Sequence, residues 1–334
     1  MEAKEHEDFT PGSLDESRQP KVYITAGVFI VLSTCAVALR FLARRISRVP
    51  WHRDDILILI SWVWFMAFVT TTIADARFAG LGLHEARALE IDSDMLARWA
   101  KYVLAIAMLY LITVALPKFA ILSMYFTIFR SSRIFRITCY ITGGLVAANL
   151  IASCAVGFAI CVPLKSFWDK SIDGRCLDIN EWFRWTRVVN ILTDIILLIL
   201  PIPQIWRLQM SVRLKLGLLL TFSLGGLGLV AAISSYRVIS TTNASLDPTW
   251  SGAEIMFWAI IECGMYLIAP CLVSYQPLVK IMWRGVVEYG SRTQLLQYWR
   301  TARGHNTVSD TASKEHGDTV SLVHIVRKSS GAGP

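Results

Sequence analysis

The sequence predicts an all-α, polytopic membrane protein: a seven-transmembrane helix bundle with its N-terminus outside and its C-terminus in the cytoplasm. Composition is the first reason. The 334-residue chain is 54% hydrophobic and only 17% charged, where a soluble domain carries about 25% charged residues. Patterning is the second. Residues 22–39, 56–74, 102–117, 137–164 and 216–236 contain no Asp, Glu, Lys or Arg, and 188–206 and 255–279 contain one acid each. About 20 mostly apolar residues cross the hydrocarbon core as a helix, and a barrel strand needs only about ten. Charge asymmetry is the third. Segments 40–53, 130–136, 207–215 and 280–303 hold 16 Lys and Arg in 54 residues, against 13 in 84 for 1–21, 77–101, 165–187 and 237–251. The denser set belongs on the cytoplasmic side.

In order, the spans are expected at 22–42, 56–79, 102–127, 138–161, 186–206, 216–237 and 253–278. A six-span alternative requires misreading 138–161 or 253–278. Residues 1–21 are expected as a disordered extracellular tail, 22–280 as the membrane domain, and 281–334 as a mostly disordered cytoplasmic tail. The tail before Val22 holds no apolar stretch, so the first span is expected to target the chain. The net charge of +8 is divided among short loops. The expected partner is therefore the lipid bilayer and not nucleic acid.

Asp54 and Asp55 open the second span, where acids satisfy free amides and complement the helix dipole, with Arg53 able to pair beside them. Gly80-Leu-Gly82-Leu-His84 follows that span as an exit turn, and His84 reads as a solvated loop histidine. No His, Cys and acid cluster has metal spacing, and no metal or cofactor is expected. Pro201-Ile-Pro203 ends the fifth span, and Leu224-Gly-Gly226-Leu-Gly228 lets the sixth approach a neighbour closely. Residues 283–299 read as an interfacial amphipathic segment.

Cys161 and Cys176 flank an outer loop of 14 residues, while the other five cysteines lie within spans. A Cys161–Cys176 disulfide follows, stabilising by roughly 3 kcal/mol on the chain-entropy account. Asn243-Ala-Ser245 is a glycosylation sequon in the last outer loop.

Three ionisable residues fall within hydrocarbon: Lys118, Asp194 and Glu262. Each costs about 2.5–3.5 kcal/mol or more at the centre of a lone helix, so each should face the interior. Asp194 and Glu262 lie at similar depth, roughly 13 Å into spans that run the same way. Asn190 stands one turn above Asp194 on the same face. These four residues form the candidate binding cavity. Lys118, about eight residues deeper and beside Pro117, is expected to reach the acids only at full length or through water. A purely structural polar centre is the competing interpretation.

Taken in order, the motifs resemble the fungal rhodopsin-domain family of seven-span membrane proteins, in its satratoxin-cluster and Pth-type group. The carrying residues are Asp54-Asp55, Gly80-x-Gly82-x-His84, Lys118-Phe-Ala-Ile-Leu-Ser, Cys161-x-Pro163, Trp168, Gly174-x-Cys176 and Asn190-x-x-x-Asp194. Pro201-x-Pro203, Leu224-Gly-Gly, Arg237 and Trp258-x-x-x-Glu262 complete the series. The resemblance implies the seven-span fold over about 22–280 but no single activity, since some members resemble receptors and others are encoded in secondary-metabolite clusters. It does not imply retinal. A retinal pigment needs a lysine deep in the last span, and the first one there is Lys280, at the inner edge.

Three classes of function stay open. The leading expectation is a receptor- or sensor-like protein of the plasma membrane, with a small-molecule ligand and a cytoplasmic partner that the sequence does not identify. The alternative is an intramembrane enzyme of the acid-initiated cyclase type, with Asp194 and Glu262 as proton donors, or another accessory protein of a secondary-metabolite pathway. A transporter is the third.

Overall fold

The computed structural model describes residues 16–46, 48, 52–128, 133–169, 171–203, 212–241 and 247–275. Asn243, Lys280, the 283–299 segment, most of the N-terminal tail and the whole C-terminal tail lie outside them.

Long helices dominate the described chain: α1 (Gln19–Ile46), α2 (Arg53–Phe78), α4 (Met95–Ile128), α5 (Arg133–Phe158), α6 (Ile179–Ile199), α7 (Val212–Thr241) and α8 (Pro248–Val273), with a short α3 (Glu85–Ile91) between α2 and α4. Six of the long helices are both long enough and apolar enough to cross a membrane. α6 has the length, 21 residues or about 31 Å. It differs in carrying Glu181, Arg184, Arg187 and Asp194, of which Arg187 and Asp194 are buried. The surface is inverted relative to a water-soluble protein. Ile24, Ile141 and Ile151 are 67%, 66% and 69% exposed, while Arg40, Lys118 and Glu262 are among the largest fully buried side chains. Such an exterior suits hydrocarbon as its solvent.

Several boundaries differ from the hydropathy reading, because helices run past the apolar blocks into polar sequence. α4 begins seven residues before the expected 102 and includes Arg98 and Lys101. α6 begins at Ile179, where Asp178 caps it by accepting from the Asn180 N–H at 2.8 Å, and ends just before Pro201. α8 begins at Pro248, five residues before the expected 253, and its last turn closes at Val273, where the Ser274 N–H folds back to the Cys271 and Leu272 carbonyls.

α4 and α8 are the most enclosed helices and α5 the least. α8 packs against α7, α1 and α4, and α4 against α2 and α5. Of the α7 glycines, Gly228 makes the expected close approach, since a Cβ on it would stand 3.1 Å from the Tyr266 ring of α8, whereas Gly226 has no neighbour within 4 Å. The turn after α2 also needs glycine. Gly82 has φ +90°, and a Cβ there would meet the Gln19 backbone nitrogen at 2.9 Å. Its N–H donates to the Thr249 carbonyl at 3.0 Å while its own carbonyl accepts from Arg18 at 2.9 Å. One turn thereby joins the starts of α1 and α8.

His84 is not the solvated residue expected. Its Nδ1 lies 2.5 Å from Asp247 Oδ2, and its ring stacks on Trp250 at 4.0 Å. The same Asp247 caps α8 by accepting from the Trp250 N–H.

The Cys161–Cys176 disulfide is present and joins two short antiparallel strands, β1 (Cys161–Val162) and β2 (Arg175–Cys176). The bridge marks one end of the bundle, the disulfide end.

At the other end, Asp55 does cap α2, its carboxylate accepting from the His52 N–H at 3.0 Å. The partner expected for the two acids was Arg53. Arg40 and Arg44 of α1 take that place. Arg40, 1% exposed, donates to Asp54, to Asp55 Oδ1 at 2.9 Å and to the Pro270 carbonyl of α8 at 2.7 Å. Arg44 reaches Asp54 Oδ2 at 3.0 Å and Asp55 Oδ1 at 3.2 Å. One guanidinium therefore fastens three helices. Arg53, immediately before the acids, lies on a different face of its own helix.

Candidate functional site

Three helices build the polar centre. On α6, Arg187, Asn190 and Asp194 recur at i, i+3 and i+7, which places them on one stripe. On α8, Glu262 and Tyr266 are one turn apart, and on α4 Tyr110 and Lys118 are two turns apart. The stripes face one another and form two tiers.

The upper tier, nearer the disulfide end, holds Arg187, Glu262 and Tyr110. Arg187 Nη1 lies 2.5 Å from Glu262 Oε2 and also donates to the Tyr110 hydroxyl. That hydroxyl donates to Glu262 Oε1 at 3.0 Å. The guanidinium sits 4.5 Å from the Tyr110 ring centroid, a cation–π arrangement.

The lower tier holds Lys118 and Asp194, both about 1% exposed, with Nζ 2.6 Å from Oδ1. The ammonium's aligned hydrogen bonds go to Asn190 Oδ1 at 2.6 Å and Thr193 Oγ1 at 2.9 Å, and its longer one to the Asn190 carbonyl at 3.3 Å. The contact with Asp194 is thus an ion pair off the hydrogen-bonding directions, and both Asp194 oxygens lack an aligned donor among the described residues.

Asn190 joins the tiers. Its amide nitrogen donates to Glu262 Oε1 at 2.7 Å while its oxygen accepts from Lys118. Two cations and two carboxylates balance to zero, as a charge cluster in hydrocarbon must if it is to stay ionised.

All four residues singled out from sequence therefore lie together, but in a different arrangement. Lys118 touches Asp194 directly, with neither a water nor a long reach. The acids do not face each other as an unpaired couple, since each has its own cation. Counting residues from the start of each apolar block misjudged relative depth because the helix starts are not level: α4 and α6 both begin seven residues before their expected spans, which leaves the eight-residue offset unchanged, yet Lys118 meets Asp194. Arg187 was missed as a site residue because it was counted among the outer-loop basics. Its spacing to Asn190 and Asp194 was the available signal. Tyr110 carried no charge and gave no signal.

A cavity of about 1150 Å³ opens at the disulfide end, bounded by α3, the starts of α4, α6 and α8, and the disulfide loop. Trp99, Trp182 and Met256 supply part of its mostly apolar wall, and Tyr110 and Arg187 form its inner end. Neither Asp194, Glu262, Lys118 nor Asn190 lines it; they are packed beyond Tyr110 and Arg187. A pocket of only about 10 Å³ lies beside Lys118 and Asn190. The rim is charged. The Asp94 backbone N–H, and after it Arg98, hold the Asp92 carboxyl below its usual range. The Ser171 hydroxyl and N–H do the same for Asp169 of the disulfide loop. Lys101 lies 5.9 Å from the Trp168 ring centroid. Among the described residues no group of His, Cys, Asp and Glu is placed to hold a metal.

Apolar-faced helices closed around a charge-balanced interior define a multi-pass membrane protein. The chain belongs to the fungal rhodopsin domain family, which matches residues 39–281. It is 31% identical to the polyenoic acids biosynthesis gene cluster protein Ba17b of Metarhizium anisopliae, over 78% of this chain and 74% of that one. It is 28% identical to a SAT4 family membrane protein of Emericella nidulans, over 78% of this chain and 64% of that one. It is 25% identical to the receptor GIN3 of Arthrobotrys oligospora, over 75% of this chain and 62% of that one. The chain thus spans about three quarters of the first relative and just under two thirds of the other two. No solved structure matches it.

Proposed function

We propose that the chain is a receptor- or sensor-like protein of the plasma membrane that works without retinal. In this reading seven helices cross the bilayer, the disulfide end faces outward, and a small molecule enters the cavity there. The observation that carries it is the shared position of Tyr110 and Arg187. Both line the cavity, and both are bonded into the network that joins α4, α6 and α8. A ligand touching them shifts the Glu262–Asn190–Lys118–Asp194 connections beneath, and differential contact with two packings of those helices is what a signal requires. Similarity to a relative named as a receptor supports this reading, and the dense Lys and Arg of the opposite loops supports the orientation.

The second reading, an accessory protein or enzyme of a secondary-metabolite pathway, draws on the relative named for polyenoic acid biosynthesis. Proton donation by Asp194 or Glu262 fits the geometry less well, because each is ion-paired and neither lines the large cavity.

The test compares a strain carrying the native chain with a Tyr110→Phe strain, scoring the transcriptional response to culture extract and the metabolite profile. The receptor reading expects the response to vanish at normal protein level while every pathway product persists. Loss of one product with an intact response would establish the second reading instead.

A further inference from the structure

Asp75 stands apart from the other buried carboxylates. Asp54 and Asp55 are paired with Arg40 and Arg44, Asp194 with Lys118, and Glu262 with Arg187. Asp75, on α2, is 1% exposed, and neither of its carboxyl oxygens has a hydrogen-bond partner among the described residues. No described cation lies within ion-pair distance. Arg77, two residues on, points to a different face of the helix and is exposed. Gln19 of α1 donates to the carbonyl of the next residue, Ala76, at 2.7 Å.

A buried, unmet carboxyl is costly, and native proteins keep few such groups without a use for them. Asp75 lines the large cavity. The same wall holds the indole nitrogens of Trp99 and Trp182, both buried and without an acceptor among the described residues. The residues around one apolar cavity therefore include a carboxyl that lacks a donor and two N–H groups that lack an acceptor among the described residues.

We infer that Asp75 is the anchor of this cavity for an apolar ligand carrying a protonated amine, with a ligand oxygen accepting from Trp99 or Trp182. The inference rests on the cavity being the ligand site proposed above, and it names the chemical class of that ligand. The amine pairs with the carboxylate in a charge-assisted hydrogen bond. The apolar body fills the space between Asp75 and the Tyr110–Arg187 end.

The test uses the full chain in lipid nanodiscs, with decylamine and decanol as probes of equal length, titrated calorimetrically against empty nanodiscs. Decylamine should bind about tenfold tighter than decanol or better, as a charged hydrogen bond would give. Asp75→Asn should abolish that preference and Asp75→Glu should retain it. Asp75→Asn is expected to fold and to melt close to the native chain, because the amide matches the carboxyl in shape and the change breaks no side-chain hydrogen bond or ion pair among the described residues. An amine preference that survives Asp75→Asn, or equal binding of both probes to the native chain, overturns the role of Asp75 and leaves the cavity reading standing. Failure of both probes to bind the native chain overturns the cavity as a ligand site, and the assignment of Asp75 with it.

Discussion

Asp194→Asn isolates the lower tier of the polar centre. The change keeps shape and removes one charge, leaving the Lys118 ammonium with Asn190 and Thr193 oxygens but no counter-ion. Lys118 and Asp194 are 2.6 Å apart and about 1% exposed, so water does not screen the loss. Breaking a buried pair at one partner destabilises by about 3–5 kcal/mol. At about 2–4 °C per kcal/mol for a chain of this order of size, the melting temperature should fall by roughly 6–20 °C. The double change Lys118→Met/Asp194→Leu removes both charges together and should recover most of the loss, since apolar replacement of a buried pair is often neutral or better. The assay is thermal unfolding in one detergent for the native chain, Asp194→Asn, the singles Lys118→Met and Asp194→Leu, and the double. An Asp194→Asn melting point within about 2 °C of native, on that same scale, would refute the pairing. A double variant no better than the singles would show that the charges act separately.

Three further outcomes are expected. Non-reduced peptide maps should recover Cys161 and Cys176 linked, and Cys161→Ser should destabilise by roughly 3 kcal/mol; two free alkylated thiols would contradict the bridge. Single cysteines placed beside positions 45, 133 and 213 should resist membrane-impermeant labelling in intact cells, and labelling at two of the three would reverse the orientation. Retinal added to purified protein should give no red-shifted chromophore, because the Lys118 ammonium is already held by Asp194, Asn190 and Thr193. A pigment lost on Lys118→Met would show otherwise.

By itself the sequence determined that this is a helical, multi-pass membrane protein. Charge-free blocks of span length leave few other ways to satisfy the backbone in lipid, and that constraint acts locally. It also singled out Lys118, Asn190, Asp194 and Glu262, because polar groups inside apolar blocks are conspicuous wherever they occur, and it placed Cys161 and Cys176 on one loop. Pairing was decided by the tertiary structure. Arg40 and Arg187 sit where apolar blocks meet polar sequence, so hydropathy counted them as loop charges. Only the packing of α1 on α2 and α8, and of α6 on α4 and α8, turned them inward to acids 14, 15 and 75 residues away in the chain. Tyr110 and Asp75 show the same limit from opposite sides. One gained its place by meeting Glu262 across 152 residues. The other is distinguished by the partner it lacks among the described residues, which no local pattern records. Hydrophobic periodicity is a property of one helix, whereas an ion pair or a cavity wall belongs to several helices at once, and their relative rotation and depth are set by packing.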